Sequence, residues 1–75
     1  MTIQTLTDLL KAKPFQPFIL KCRDGELIEV PHPEKVYRDA DTTLMIIGRG
    51  NGRYTIVDLS EIVRADFYTN GLPVT

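Results

Sequence analysis

The sequence has 75 residues, of which 43% are hydrophobic and 25% charged, and its nine Lys/Arg against ten Asp/Glu give a formal net charge of −1. This length predicts one domain over residues 1–75, with a core so small that apolar burial roughly cancels the entropy cost of folding. The near-neutral charge argues against a broad electrostatic footprint for nucleic acid or for an anionic membrane, and leaves a local basic patch open.

Two residue counts limit what can stabilise so small a domain. Cys22 is the only cysteine and His32 the only histidine. The chain therefore has no internal disulfide and lacks the four ligands of the usual structural zinc site. We expect no metal and no cofactor, and we expect association with further copies of the chain to supply the missing stability.

The sequence also lacks the patterns of membrane insertion and export. No run approaches the roughly 20 apolar residues of a membrane span, and the N-terminus has no basic region followed by an apolar core. A single free thiol suits a reducing compartment. We therefore expect a cytoplasmic protein without a membrane partner.

The first predicted element is a helix over residues 2–13. Its apolar stripe at helical spacing includes Leu6 and Leu10, Thr2 is a candidate N-cap, and Pro14 stops the helix. An isolated helix this short is marginal in water, so its stripe must pack on the body of the domain or on a neighbour.

A stiff, extended connector from Pro14 to Phe18 is predicted to follow, because two prolines bracket Phe15. We interpret Phe15 and Phe18 as anchors of the helix on the sheet. The alternative, a ligand for a proline-recognising domain, requires the motif to stay exposed.

A sheet is predicted over residues 18–68, beginning with a β-hairpin that turns at Asp24-Gly25. A three-residue loop from Arg23 to Gly25 puts Gly25 in the left-handed conformation. One face of the hairpin then carries Phe18, Leu20, Cys22, Ile28 and Val30, and the other carries Ile19, Lys21, Leu27 and Glu29. We prefer this register because it separates apolar from mixed residues, and a one-residue slip would flip every side chain.

The loop after the second strand gathers the densest mix of functional side chains. Two prolines end the strand, and Pro33 can start one helical turn. The candidate binding residues in this loop are His32, Glu34, Lys35, Tyr37 and Arg38. The alternative is a polar surface crossover that closes the core edge with Val36 or Tyr37. His32 can act as a base in principle, but no Ser or Cys nucleophile lies in a recognisable motif, so we expect no catalytic residue and no enzymatic activity.

The third predicted strand runs from Thr42 to Ile47 and is apolar on both faces from Leu44 onward. Such a strand is typical of the centre of a sheet or of an interface. Asn51-Gly52 then predicts a hairpin turn.

Two arginines, Arg49 and Arg53, flank the tip of this second hairpin. They are candidates for a small anion contact, and the alternative is that they are simply solvated. The Gly-x-Gly pattern around Arg49 does not predict a phosphate loop, since a strand rather than a helix follows it.

A fourth strand over residues 54–59, a corner at Ser60-Glu61 and a fifth strand over residues 62–68 complete the sheet, and residues 69–75 form a tail. Eight residues are predicted to be buried: Leu20, Ile28, Val30, Leu44, Ile46, Ile56, Val63 and Phe67. With this choice, four apolar side chains point away from the core: Ile19, Leu27, Met45 and Ile47.

One helix followed by five short strands is the order of a small closed or nearly closed barrel. The layout resembles the Sm-like class of SH3-like barrels, including its bacterial RNA chaperone, where a helix precedes a bent five-stranded sheet with Asp-Gly or Asn-Gly in the first hairpin. The resemblance implies a mainly β fold with a strongly bent antiparallel sheet. It also implies a ring-like homo-oligomer joined through strands four and five.

The resemblance does not extend to RNA binding. In the chaperone a Tyr-Lys-His run before the last strand binds uridine-rich RNA, whereas this chain has Ile56-Val57-Asp58-Leu59 there. A second resemblance, to a group of short bacterial proteins of unknown function, is carried by three motifs and implies no activity. These motifs are Phe15-x-Pro17-Phe18, Asp24-Gly25 and His32-Pro33-Glu34.

Two functions remain compatible with the sequence. The first is a non-enzymatic, homo-oligomeric binding or assembly module that acts through its loops or an exposed strand edge, with itself or another protein as partner. The second, which the net charge does not favour, is an Sm-like RNA or single-stranded nucleic-acid binder. Its basic residues would be Lys35, Arg38, Arg49 and Arg53, with Tyr37 and Tyr54 as stacking faces.

Overall fold

The computed structural model of the protein describes residues 1–69 and 72–73. Helix α1 spans Ile3–Lys11, and the strands are β1 (Phe18–Cys22), β2 (Leu27–Val30), β3 (Val36–Arg38), β4 (Leu44–Gly50), β5 (Arg53–Asp58), β6 (Ile62–Thr69) and β7 (Leu72–Pro73). Two 3₁₀ turns cover Pro33–Lys35 and Leu59–Glu61. The mainly β class with an N-terminal helix is confirmed. The predicted tail, residues 69–75, lies partly outside the described residues; Thr69 extends β6, and Leu72–Pro73 pairs with β6 as β7.

The strands form two antiparallel sheets, with orders β2-β1-β6-β7 and β3-β4-β5. The expectation of a single, strongly bent five-stranded sheet is therefore wrong, and neither sheet closes into a barrel within the described residues. The physical reason lies in the two 3₁₀ turns, each of which carries the chain from one sheet to the other. Pro33–Lys35 leads from β2 to the separate, three-residue β3, and Leu59–Glu61 leads from β5 back to β6.

The first hairpin folds in the predicted register. Phe18 pairs with Val30 and Leu20 with Ile28. Gly25 has a φ of +91°, and its N–H donates to the Cys22 carbonyl at 2.9 Å. The left-handed glycine thus closes the three-residue loop as the Asp-Gly signal predicts.

Helix α1 packs over the core between the sheets. The Thr2 hydroxyl accepts a hydrogen bond from the Thr5 backbone N–H at 3.1 Å, which confirms the predicted N-cap. Leu6 is 1% exposed and belongs to the main hydrophobic cluster. The helix ends at Lys11, two residues earlier than predicted, and it is far too short to span a bilayer; no helix in the described part of the chain is long and apolar enough to do so.

The core lies between the two sheets and under α1. Its buried members are Leu6, Phe18, Leu20, Cys22, Ile28, Val30, Met45, Ile47, Leu59 and Ile62. The predictions for Leu20, Ile28 and Val30 are confirmed. Phe15, half-buried, packs against this cluster with its ring 5.9 Å from that of Phe18, as the anchoring interpretation expects.

Five of the eight core predictions are wrong. These residues are between 41% and 67% exposed: Leu44, Ile46, Ile56, Val63 and Phe67. In β4 the opposite parity faces inward, so Met45 and Ile47, predicted to point outward, are both 0% exposed. Hydrophobicity does not decide between the two faces of a strand that is apolar throughout.

The remaining errors concern the other sheet. Val63 and Phe67 border open depressions beside α1 that Leu9 only partly covers. Ile19, also predicted to point outward, is 3% exposed, whereas Leu27 is exposed as expected.

Ile19 belongs to β1, which lies between β2 and β6 in its sheet. Ile19 pairs with Glu29 of β2 on one side and with Asp66 of β6 on the other. Burial, followed by the nearby Glu29 carboxylate, raises the pKa of the Tyr68 phenol. Tyr68 lies on the same face of the sheet as Ile19, because Ile19 pairs with Asp66, two residues before Tyr68 in β6.

Candidate functional site

Two loops that are distant in the sequence border one open cleft of about 500 Å³. One wall is the loop around the first 3₁₀ turn, and the other is the tip of the β4–β5 hairpin. Five of the seven predicted binding residues line this cleft: His32, Glu34, Lys35, Tyr37 and Arg53. Tyr54 and the glycines of the hairpin complete it.

The first wall is shaped by a histidine cap. His32 Nδ1 accepts a hydrogen bond from the Glu34 backbone N–H at 3.1 Å, and Pro33 begins the 3₁₀ turn, as its sequence predicts. A ring nitrogen accepts a hydrogen bond through its lone pair, so Nδ1 caps this turn as a side-chain oxygen caps other helix starts. His32 therefore holds the turn that presents Glu34 and Lys35 to the cleft.

The second wall depends on a tight turn. Asn51 and Gly52 have φ of 54° and 74°, the positive values that a two-residue type I′ hairpin turn requires. The predicted Asn-Gly turn is thus confirmed. Gly48 pairs with Tyr54, and a Cβ at Gly48 would lie 3.5 Å from Lys35 Cδ. The aliphatic stem of Lys35 therefore packs over the backbone of β4.

The other two candidate arginines serve the fold. Arg49 sits at a β-bulge between Gly48 and Gly50, and its Nη1 donates to Glu26 Oε1 at 3.0 Å and to Thr55 Oγ1 at 2.9 Å. This contact joins the two sheets, since Glu26 belongs to the first hairpin. Arg49 also borders a neighbouring cleft of about 440 Å³ beside Ile19.

Arg38 points its guanidinium along its own chain. Its Nη1 donates to the carbonyls of Asp39 at 3.1 Å and Thr42 at 3.2 Å. Arg38 thereby closes the turn between β3 and β4, and it does not border the 500 Å³ cleft.

The charges in the cleft are few and opposed. Lys35 and Arg53 contribute two positive charges and Glu34 one negative charge. Within the part of the chain that the structure describes, none of the three forms an ion pair. Tyr37 and Tyr54 are 60% and 65% exposed at its rim. The cleft therefore combines two aromatic rings, two basic groups and one carboxylate in its lining.

Nucleophilic and metal chemistry find little support in the described residues. Cys22 is buried, and this burial, together with the carboxylates of Asp24, Glu26 and Glu61, raises the pKa of its thiol. A thiol with a raised pKa is a poor nucleophile near neutral pH. No group of three or more His, Cys, Asp or Glu side chains that could hold a metal occurs in the described part of the chain.

The two tyrosines also belong to a larger apolar surface, which we call the outer face. It comprises Tyr37, Leu44, Ile46, Tyr54 and Ile56 on the solvent side of the β3-β4-β5 sheet. Tyr37 pairs with Ile46, and Ile46 pairs with Ile56, so the three side chains lie side by side across the sheet. Sequence reasoning missed this surface because it assigned Ile46 and Ile56 to the core.

Comparison of the chain with models of protein families, with curated proteins and with solved structures found no match in any of the three.

Proposed function

We propose that this protein is a non-enzymatic, homo-oligomeric binding or assembly module, and that a second copy of the chain covers its outer face. One observation carries the proposal: the row formed by Tyr37, Ile46 and Ile56 is 60%, 41% and 67% exposed in the single chain. Contiguous apolar patches of this kind are uncommon on monomeric proteins and mark interaction surfaces.

The energetics favour covering this row. Fully burying a Leu- or Ile-sized side chain is worth about 1.5–3 kcal/mol. Leu44, Ile46 and Ile56 are each roughly half exposed or more, so covering them together recovers about 2–4 kcal/mol before the cost of association. A small domain without disulfides gains from such a contact. Every copy of the chain carries the same apolar row, so a second copy always offers a matching surface. This favours self-association over binding of a different protein.

The proposal includes kinship with the Sm-like small barrels. Three features support it: a helix before the sheets, an Asp-Gly turn in the first hairpin, and a 3₁₀ corner before the last long strand. The open, two-sheet arrangement departs from a closed barrel. Kinship at the level of fold carries no ligand to this chain.

Light scattering at micromolar concentration tests the proposal. The unmodified protein should have a mass above that of one chain, and Ile46→Lys, which charges the middle of the outer face, should reduce it to one chain. Leu27→Lys is the matched control, because Leu27 is 50% exposed on the other sheet. A monomer mass for the unmodified protein would contradict the proposal.

The cleft supports a second candidate function, binding of single-stranded nucleic acid. Lys35 and Arg53 line the same cleft as the exposed rings of Tyr37 and Tyr54, and aromatic faces beside basic groups are the elements of such sites. Two other predicted basic residues argue against this function, because Arg38 donates to the Thr42 carbonyl and Arg49 to the Glu26 carboxylate instead of facing the cleft.

Salt dependence separates the two functions. A nucleic-acid site should bind a labelled oligouridine tightly at about 50 mM salt and lose most of that affinity by about 200 mM. Our leading proposal expects no such binding, and the Lys35→Gln, Arg53→Gln double variant should keep the oligomer mass.

A further inference from the structure

Strand β5 is the free edge of its sheet. It pairs with β4 on one side, and on the other side the described residues provide no strand partner. At six residues, it is twice as long as β3, the opposite edge of the same sheet.

The hydrogen-bond register shows which backbone groups face outward. The Leu59 N–H donates to the Thr43 carbonyl at 2.8 Å, and in an antiparallel pair hydrogen-bonded and non-hydrogen-bonded positions alternate. The pair Ile46–Ile56 is therefore of the non-hydrogen-bonded type, as is Gly48–Tyr54. The N–H and C=O groups of Tyr54 and Ile56 point away from β4, toward the free edge.

This edge lacks the features by which proteins usually protect exposed strands. Proline, lysine and inward-pointing charges commonly block pairing with another chain. From Tyr54 to Val57 the strand reads Tyr-Thr-Ile-Val, four uncharged residues of high β propensity. Nothing in this stretch opposes the addition of another strand.

A groove of about 490 Å³ runs along the same edge, between β5 and the first hairpin. Its apolar floor includes Ile28, Ile56 and Val57, and the carboxylates beside it are Asp24, Glu26 and Glu61. Arg23 is the one basic residue in this lining, and it lies only 3.9 Å from Glu61 in a highly exposed pair. Arg49 pairs with Glu26 at 3.0 Å beside the groove, so the three carboxylates face two arginines. The small negative excess that remains favours positive charge in whatever occupies the groove.

We propose that the β5 edge accepts an extended peptide segment with basic side chains, which adds to the β3-β4-β5 sheet as a further strand. The backbone groups of Tyr54 and Ile56 would bond the peptide, and the carboxylates of the groove would select its lysine or arginine residues. Recognition of this kind draws affinity from the main chain and specificity from alternate side chains. The proposal concerns the backbone edge of β5, whereas the outer-face proposal concerns side chains, among them those of Tyr54 and Ile56.

Fluorescence anisotropy with a labelled seven-residue peptide of alternating valine and lysine tests the proposal at low salt. Binding should be saturable, and a valine–glutamate peptide should bind at least about tenfold more weakly. Two further peptides carry N-methyl groups on all valine amides or on all lysine amides. Only one of these two should lose binding, because a strand presents alternate amides to its neighbour.

Variants of the protein locate the site. Ile56→Pro removes an outward N–H without removing a β4–β5 hydrogen bond, and should weaken binding about tenfold relative to Ile56→Thr, which keeps that N–H. Glu26→Gln combined with Glu61→Gln should weaken binding of the lysine peptide and leave its N-methyl pattern unchanged. The peptide series keeps the test decisive if Ile56→Pro does not fold.

Several outcomes would overturn the proposal. These are absence of binding, equal binding of the lysine and glutamate peptides, and equal binding of the two methylated peptides. A β5 edge occupied by a second copy would also overturn it, and would appear as an oligomer mass that Ile56→Pro reduces but that Ile56→Thr and Ile46→Lys leave unchanged. The two proposals can be tested separately, because Ile46→Lys should abolish oligomerisation and leave peptide binding intact.

Discussion

Substitution of Met45 and Ile46, adjacent residues of β4, tests which side of the strand faces the core. Each change to alanine removes three heavy atoms, but Met45 is 0% exposed and Ile46 is 41% exposed. Met45→Ala leaves a cavity and should lower the free energy of unfolding by about 2–5 kcal/mol. Ile46→Ala loses three carbons at roughly 0.8 kcal/mol each when buried, reduced by its exposure, so about 1–1.5 kcal/mol.

Urea unfolding followed by circular dichroism measures both costs in dilute protein. With an m-value of about 1 kcal/mol/M for a small domain, Met45→Ala should lower the midpoint by at least about 2 M and Ile46→Ala by about 1 M. Met45→Val is a milder substitute if Met45→Ala is unfolded in buffer. Equal costs, or a larger cost at Ile46, would refute the assignment of the outer face.

Three further predictions concern single contacts. The Ser60 backbone N–H, with the hydroxyls of Ser60 and Thr43, lowers the pKa of the Asp58 carboxyl. These hydrogen bonds therefore stabilise the folded protein above the unfolded-state pKa of Asp58, and the stabilisation is lost as pH falls through the lower folded-state pKa. Asp58→Ala should therefore cost most stability at neutral pH, and its urea midpoint should converge on that of the unmodified protein as acid protonates the Asp58 carboxylate; a constant difference would be contrary to this. The thiol of Cys22 should react with an aromatic disulfide far more slowly at pH 8 in native protein than in urea, because burial raises its pKa, and equal rates would show that it is accessible. A double-mutant cycle of Arg49→Met and Glu26→Gln should give a coupling of about 0.5–1 kcal/mol in the free energy of unfolding. Because the ion pair is partly exposed, this coupling should shrink in 1 M salt. Zero coupling would mean that the contact contributes nothing to stability.

Local signals were sufficient where one face of a strand is clearly apolar. The register of the first hairpin follows from the position of Asp24-Gly25 and from the alternation of its strands, and the structure has it as predicted. The second hairpin turn follows in the same way from Asn51-Gly52. In both cases the backbone conformation that glycine permits fixes the turn.

The same reasoning fails for β4, because Leu44 to Ile47 offers apolar residues to both sides. The inward pair is chosen by packing against the other sheet, which depends on residues far away in the chain. The choice also decides which side chains of β5 face outward, because Ile56 pairs with Ile46 and lies on the same face of the sheet. One undecided parity therefore accounts for three of the five wrong core residues.

The candidate site was predictable in part. The loop around His32 was identified from its composition, and the cleft brings Arg53 to it across the sheet. The engagement of Arg49 with Glu26 was not predictable, because 23 residues separate them and a bulge sets the direction of the arginine. Contacts of this range depend on the packing of two sheets rather than on any local pattern.

Solvent accessibility of the isoleucine methyl groups tests the central claim most directly. The chain has seven isoleucines, of which Ile3, Ile46 and Ile56 are exposed in the single chain. NMR with a soluble paramagnetic probe should show Ile46 and Ile56 protected at concentrations where the protein is oligomeric and accessible on dilution, with Ile3 accessible throughout. Ile46 and Ile56 methyl groups that remain as accessible as Ile3 at every concentration would contradict the claim that the outer face binds a second copy.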